Sequence, residues 1–466
     1  MRRSSVARRA VEPSIVLSGG SPRMWKVLYN GLLLLASPVI LALLVAKPRC
    51  RRGLPQRFGF TAPGIRPDRR PLIWVHAVSL GEVVAITPLV RELHRRHPDH
   101  RFAVSTATET GRDAVEQRLA GIAEHLYAPL DFPWAVARTI DRLQPALYVF
   151  IETELWPNLL GQLARRAVPA IMVNGRLSTS SYARQRRPPV RWLYEGMLRS
   201  LRLCLMQSER DAERIIGLGA DPRAVRSTGN IKFDQPLPSS GRTVTRSELG
   251  LAEGAPLLVA GSTHPVEEET LVEAYQAVLQ REPSAQLLLA PRHIERAGAI
   301  EAMVRDRGLT VRRRSKTPRP DQERAAVVIL DTRGELAEVY REATVAFVGG
   351  TLVPIGGHNL LEPASWAKPV LFGPYTDHCV DIANLLVQAD GGRRVTTTEE
   401  LTAQLITLFH QPDERARMGR AAQSMVHDNQ GALGATIEAI DRELAAAAAG
   451  RSQTSSSEVF PLMSGR

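Results

Sequence analysis

The sequence predicts an α/β protein built as two Rossmann-like halves, joined by a linker and preceded by an apolar helix. Three observations carry this. From Leu72 onward, short apolar runs alternate with amphipathic stretches, the pattern of parallel strands and crossover helices. The pattern lapses between Pro236 and Ala255, where Pro, Ser, Gly and charge dominate, and then restarts. Val27 to Ala46 runs 20 residues without a charged side chain. As a helix, that length just spans a hydrocarbon core of ~30 Å.

The elements follow in order. Residues 1–24 form a basic extension that includes Arg2, Arg3, Arg8 and Arg9, and residues 25–47 form the anchor helix. Both flanks of that helix are basic: Arg23 and Lys26 precede it, and Lys47, Arg49, Arg51 and Arg52 follow. Trp25 and Tyr29 suit a membrane interface. A cleaved signal peptide is disfavoured, because Val45-Ala46 runs straight into Lys47-Pro48. Pro38 leaves a spanning helix and an interfacial one both open.

Residues 48–235 make the first half. LIWVHAVS, FAVSTAT, ALYVFIETE, PAIMVNGR and LRLCLMQS read as strands with helices between them. HLYAPLD reads as short and extended, a turn leads into AVRSTGNIKF, and an Arg-rich helical stretch runs from about Pro188 to Ser200. Residues 236–255 form a linker with one short helix. Residues 256–435 make the second half, with strands at PLLVAGST, AQLLLAPRH, AVVILDT and TVAFVGG, and GELAEVYREA as a helix. Residues 436–466 read as the end of a helix, then a disordered serine-rich tail. Two such halves facing a central cleft are the GT-B architecture, in which ligands sit outside the carboxyl ends of the strands.

Composition narrows the function. The formal net charge is +12, mostly from arginine, which suits an anionic surface or substrate. Nucleic acid is not favoured, because no basic platform is interleaved with aromatic residues. The three cysteines, Cys50, Cys204 and Cys379, are far apart, so neither a disulfide framework nor a zinc site is implied. There is no Asp-x-Asp pair to clamp a metal on a pyrophosphate. No metal and no resident cofactor are expected.

Residues 347–373, FVGGTLVPIGGHNLLEPASWAKPVLFG, are the richest stretch. A strand at Val345 to Val348 enters a loop with glycines at 349, 350, 356 and 357. These let backbone amides approach a phosphate or ribose. The loop ends at His358-Asn359, and a helix opens with Glu362 in its first turn, beside Leu360 and Leu361. Asn and Glu at a helix start can bind sugar hydroxyls, and the helix start itself favours anions.

Other candidates lie where strands turn into helices. Glu82 in HAVSLGE, with His76, Ser79 and Gly81, stands at the mouth of the first sheet. It can act as a base toward an attacking hydroxyl; equally, it can be a first-turn glutamate matched to the helix dipole. Glu152 and Glu154 in IETELWPN end another strand, and Pro157 suits the helix start that follows. Lys232 in GNIKFD can neutralise developing charge, or be a plain surface lysine. In the second half, Gly261 to His264 precede the acidic helix of Glu267 to Glu269. Pro291 and Arg292 offer a phosphate fork, and Gly334, Glu335 and Leu336 open a helix whose backbone can read a base. Arg176, Arg184, Arg186, Arg187, Arg191, Arg199 and Arg202 make a basic run: a solvated helix face, or a landing site for an anionic lipid.

In order, HAVSLGE, ETELWPN, GNIKFD, GSTH, APRH, GEL and GGHNLLEPA resemble the motifs of 3-deoxy-D-manno-octulosonic acid (Kdo) transferases, from about Trp25 to Gln430. The resemblance implies a GT-B fold with an N-terminal membrane anchor, CMP-Kdo as donor and the lipid A precursor lipid IVA as acceptor. It places the enzyme at the cytoplasmic face of the inner membrane. It implies Glu82 as general base, and Glu152 and Lys232 as stabilisers of the transition state. It assigns CMP binding to Pro291, Arg292, Gly334, Glu335, Leu336, Asn359, Leu360, Leu361 and Glu362. Rival readings are another GT-B enzyme, such as a UDP-sugar transferase or 2-epimerase, and a membrane-anchored nucleotide sensor without turnover.

Overall fold

The computed structural model describes residues 22–46, 51–60, 65, 70–188, 190–235, 244–316 and 325–456. The N-terminal extension up to residue 21, Lys47, Arg49, Cys50, residues 236–243 of the linker and the end of the tail lie outside the described residues. The chain divides into two compact units: residues 1–229 with 433–466, and residues 230–432.

In the first unit seven strands form one sheet: β1 (Leu72–His76), β2 (Arg101–Thr106), β3 (Glu124–Tyr127), β4 (Pro145–Ile151), β5 (Ala170–Gly175), β6 (Leu203–Met206) and β7 (Val225–Ser227). Their order is β3-β2-β1-β4-β5-β6-β7, and every pairing is parallel. β1 and β4 are buried along nearly their whole length, which is why LIWVH and ALYVFI read as unbroken apolar runs rather than alternating ones. Trp74 meets Tyr148 edge to face at 4.8 Å, and Phe150, Met172, Cys204 and Leu160 fill the same core. The connections reverse direction between β1 and β4, so their carboxyl ends flank the switch point where such sheets bind ligands.

The short extended segment HLYAPLD supplies β3, and AVRSTG, which the sequence leaves unassigned beyond its turn, supplies β7, a three-residue edge strand. Strands this short gain their order from pairing with a neighbour rather than from their own pattern.

The second unit repeats the plan with β8 (Leu257–Thr263), β9 (Gln286–Pro291), β10 (Val311–Arg313), β11 (Val327–Ile329), β12 (Val345–Val348), β13 (Val370–Phe372) and β14 (Gly392–Arg394). The order is β10-β11-β9-β8-β12-β13-β14, again all parallel. Alternate residues of β8 serve the two faces: Leu257 and Val259 join one core, Leu258 and Ala260 the other. The switch point falls between β8 and β12. The short helix in the linker is Arg246–Leu249, closed by a capping box between Thr245 and Glu248. GELAEVYREA is shorter as a helix than the sequence predicts: Leu336–Val339 is α-helical, and Tyr340–Glu342 tightens to a 3₁₀ turn.

The Ala432–Ser456 helix returns almost wholly to the first unit. Asp441 accepts from Arg96 at 2.9 Å and meets His97 at 2.7 Å, and Glu443 pairs with Arg202 at 2.6 Å. The expected disorder of the serine-rich end is corrected as far as Ser456. The alanine run at 445–449 carries the helix into it, since alanine has the strongest intrinsic preference for that state.

Candidate active site

At the first unit's switch point, β1 turns into the Leu80–Arg96 helix and β4 turns toward the Pro157–Arg165 helix. Glu82 lies in the first turn of the former and is half-buried. Its carboxylate accepts the Val78 amide at 2.7 Å and the Ser79 hydroxyl at 3.0 Å, as a first-turn glutamate does. Burial pushes the carboxyl up to about 7; the charges of Glu152 and Glu154 push the same way, against the two hydrogen bonds.

Glu152 follows β4 with φ = 61°, left-handed backbone that a non-glycine residue rarely adopts. Its amide still donates to the Val173 carbonyl at 2.9 Å, and the Thr153 hydroxyl donates to the Arg176 carbonyl at 2.7 Å. These bonds hold the strained turn. Burial raises the Glu154 carboxyl, and the Glu152 charge adds to that, while a hydrogen bond from the Trp156 side chain opposes it. Three carboxylates thus gather at one sheet end, and the raised proton affinity of Glu82 and Glu154 suits acid-base work. His76 ends β1 at this mouth, but its side chain is turned inward, only 3% exposed, with Nδ1 2.8 Å from the Ser105 hydroxyl.

Lys232 belongs to the second unit. It sits in the 3₁₀ turn Ile231–Asp234, whose start is capped by the Asn230 side chain accepting the Lys232 amide at 3.0 Å. Phe233 anchors that turn in the core.

The second unit's other candidates converge on the carboxyl ends of neighbouring strands. Pro291 ends β9, and the Arg292 amide donates to the Thr263 carbonyl at 2.9 Å, leaving its side chain exposed. Gly334, at φ = 85°, and Glu335 precede the Leu336–Val339 helix after β11. The Glu335 carboxylate takes the Thr332 hydroxyl and, at 3.1 Å, Arg314. After β12 come Asn359 and the Leu361–Ser365 helix. The Asn359 side chain accepts the Leu361 amide and donates to Glu362, both at 3.1 Å. Leu360 and Leu361 bury their side chains in the core, which leaves only their backbone for a ligand.

The glycine loop differs from the expectation. The amides of Gly350, Thr351 and Leu352 donate to the buried carboxylate of Glu267 at 2.7, 2.9 and 2.8 Å, and the His264 amide does so at 2.9 Å. Gly349 and Gly357 donate to the carbonyls of Gly261 and Gly350, both at 2.8 Å. An internal anion therefore occupies amides that the sequence offered to a phosphate. The reason is that Glu267, fully buried at the start of the Glu267–Leu279 helix, requires donors. Sequence reasoning passed over Glu267 as one of three glutamates at a helix start.

Histidines line the same switch point. The rings of His264 and His358 lie parallel, with His293 edge-on to His264 at 5.8 Å. Burial, and then the neighbouring His264, Arg292, His378 and His293, hold the His358 imidazole down at about 4. Burial and His293 lower His264 as well. Protonation of these imidazoles beside Arg292 would be repulsive, and a bound anion would offset that repulsion. Among the described residues, no group of three or more His, Cys, Asp or Glu side chains is placed to hold a metal ion.

Comparison with known proteins fits this arrangement. Residues 52–235 match the family model described as 3-deoxy-D-manno-octulosonic-acid transferase (kdotransferase). A 3-deoxy-D-manno-octulosonic acid transferase from Haemophilus influenzae is 34% identical over 416 residues, covering 88% of this chain and 96% of its own. One from Bordetella pertussis is 33% identical over 399 residues, covering 83% and 91%. Among solved structures, a UDP-GlcNAc 2-epimerase from Neisseria meningitidis covers 80% of this chain and 100% of its own at 12% identity and a TM-score of 0.55. A glycosyltransferase from Rickettsia africae covers 81% and 99% at 14% identity and a TM-score of 0.52. These two share the fold, GT-B. On its matched length and its paired Rossmann-like units, the chain belongs to the 3-deoxy-D-manno-octulosonic acid transferase family of glycosyltransferases.

Proposed function

We propose that this enzyme moves Kdo from CMP-Kdo to a glucosamine 6-hydroxyl of lipid IVA, with inversion and release of CMP, at the cytoplasmic face of the inner membrane. Glu82 takes the proton of the acceptor hydroxyl. The hydroxyl oxygen bonds to the anomeric carbon of Kdo as the bond from that carbon to the CMP phosphate breaks, and CMP leaves with the bonding pair. A phosphate needs no separate general acid. Glu152 stabilises positive charge on the sugar ring, and Lys232 and Arg292 the negative charge on the departing phosphate. The backbone of Pro291, of Gly334 to Leu336 and of Leu360 and Leu361, with the side chains of Asn359 and Glu362, holds CMP. The Lys26–Ala46 helix, long and apolar enough to cross a membrane, anchors the enzyme.

The observation that carries this reading is Glu82: a carboxyl pushed by burial to about 7, beside two further carboxylates at the switch point of the first unit. A base with that proton affinity is half ionised at neutral pH, near the optimum for accepting a proton in the transition state. The test is turnover of the purified full-length protein with CMP-Kdo, generated in situ, and lipid IVA, followed by mass spectrometry. The expected product carries at least one added Kdo, and Glu82→Gln abolishes it while CMP binding persists. Near-normal turnover by folded Glu82→Gln overturns the assignment of the base. Absence of product from wild-type protein that binds CMP overturns the substrate assignment.

A further inference from the structure

The Pro22–Ala46 helix does not stand clear of the first unit. Its half-buried positions recur at Lys26, Tyr29, Asn30, Leu33, Ser37, Ile40 and Leu44, steps of three and four that draw one stripe along the helix. It packs against the Val190–Leu198 helix. The rest of its surface is apolar and open: Val27 is 72% exposed, Leu35 78% and Val39 62%.

The start of the stripe is polar and specific. The Tyr29 hydroxyl donates to the Asp131 carboxylate at 3.0 Å. Asn30 and Asn158 exchange side-chain hydrogen bonds of 2.6 and 3.3 Å. Asp131 is 4% exposed; it also accepts the amides of Asn158 and Leu159, both at 2.9 Å, and its carbonyl takes a second bond from the Asn158 side chain at 2.6 Å. Asp131 thereby caps the Pro157–Arg165 helix and holds the N-terminal helix at one junction. The Lys26 ammonium lies over Gly161 of the Pro157–Arg165 helix. Asn158 lies four residues beyond Glu154, in the segment that carries Glu152.

A helix that crosses a bilayer meets lipid around its circumference through ~30 Å of hydrocarbon. Here the helix packs on the Val190–Leu198 helix and bonds to the first unit at Tyr29 and Asn30, its half-buried stripe continues to Leu44, and Arg184, Arg186, Arg187 and Arg191 are exposed on and beside the partner helix. In a spanning pose the packed unit would accompany the helix into hydrocarbon. An in-plane pose instead buries the open apolar face in one leaflet and sets the arginines at the level of lipid phosphates.

Resting on the membrane-anchor reading above, we propose that the N-terminal helix is an in-plane anchor for an anionic leaflet. It is clamped to the first unit by the Tyr29–Asp131 and Asn30–Asn158 junction, so that the bilayer surface sets the position of the Glu152–Glu154 loop. The test uses full-length protein, with its three cysteines replaced, in vesicles of phosphatidylethanolamine and phosphatidylglycerol. Spin labels on single cysteines at Leu28, Leu35, Leu43 and Ser37 report depth through collisions with oxygen and a nickel chelate. Similar shallow depths at 28, 35 and 43, with a shielded label at 37, are expected. A depth that peaks at 35 and falls toward 28 and 43 overturns the in-plane pose and leaves the anchor reading standing. Labels that meet no lipid at all overturn the anchor reading and this one with it.

The clamp has its own readout. Asn30→Ala is expected to loosen a label at 28 and to raise KM for the lipid acceptor in vesicles roughly tenfold, the scale of one or two lost hydrogen bonds, with KM for the nucleotide sugar unchanged. Unchanged label mobility and acceptor KM overturn the clamp.

Discussion

The Nε2 atoms of His264 and His358 lie 2.8 Å apart, with their ring planes within 1° of each other. One nitrogen donates and the other accepts, so the pair shares one proton and resists a second. Both imidazoles are neutral at pH 7, His358 being held down at about 4, chiefly by burial. A bound anion offsets the repulsion among His264, His358, His293 and Arg292 and raises both proton affinities. CMP binding below about pH 6 is therefore expected to take up a proton. Calorimetry in two buffers of different ionisation heat measures it, and His358→Asn removes it. Proton-neutral binding of CMP by the wild type would place the phosphate away from this pair.

Activity should climb with pH. The base works ionised, and Glu82 titrates at about 7, so kcat/KM is expected to rise tenfold per pH unit below that value and to level off above it. Glu152→Gln removes one of the charges that raise the Glu82 carboxyl, so the midpoint moves to lower pH even as the plateau falls. A midpoint that stays in place in the variant argues against charge coupling between the two.

Glu82→Gln keeps the shape of the side chain: its oxygen can still accept from Val78 while its NH₂ donates to the Ser79 hydroxyl. Turnover is expected to fall by about 10²–10⁴-fold, the range for removal of a general base. The melting temperature should stay the same or rise, because the replaced carboxyl is raised by burial. Calorimetry and single-turnover kinetics on the same preparation separate the two effects.

Glu267→Gln tests the internal anion. The amide leaves one oxygen for two of the four backbone donors and sets its N–H₂ against the other two, at an expected cost of about 2–4 kcal/mol to the second unit. Thermal denaturation followed with and without CMP should show that unit melting first.

Gly349→Ala tests the approach of β12 to β8. Its added Cβ would lie 2.6 Å from the Ser262 carbonyl oxygen and 2.7 Å from the Thr263 Cα, both backbone atoms. The strands must part there, and CMP affinity is expected to drop at least tenfold with the sheet otherwise intact. Equilibrium dialysis reads the loss.

The long central strands were legible in the sequence because burial on both faces writes unbroken apolar runs, as in LIWVH and LLVAGST. β10 and β14, Val-Arg-Arg and Gly-Arg-Arg, carry no such run and owe their order to β11 and β13. The same division holds at the site. Glu82 and Glu152 are visible because each sits where a strand gives way to a turn. The function of Glu267 is not, because its partners lie 83 to 85 residues further on, and only the fold decides whether a first-turn glutamate faces water or a loop. Asn158 stands in the sequence only as one letter of ETELWPN; its bond to Asn30, across 128 residues, gives that letter a purpose.

The Ala432–Ser456 helix makes the first unit discontinuous in the chain: residues 230–432 are threaded between its two segments. A ribosome delivers the partners of Asp441 and Glu443 well before those two acids. The amino-terminal unit therefore stays incomplete while the whole of the second unit is synthesised. Biogenesis runs inward-out: the second unit to emerge is the first that can finish, and the arrival of the Ala432–Ser456 helix completes the other.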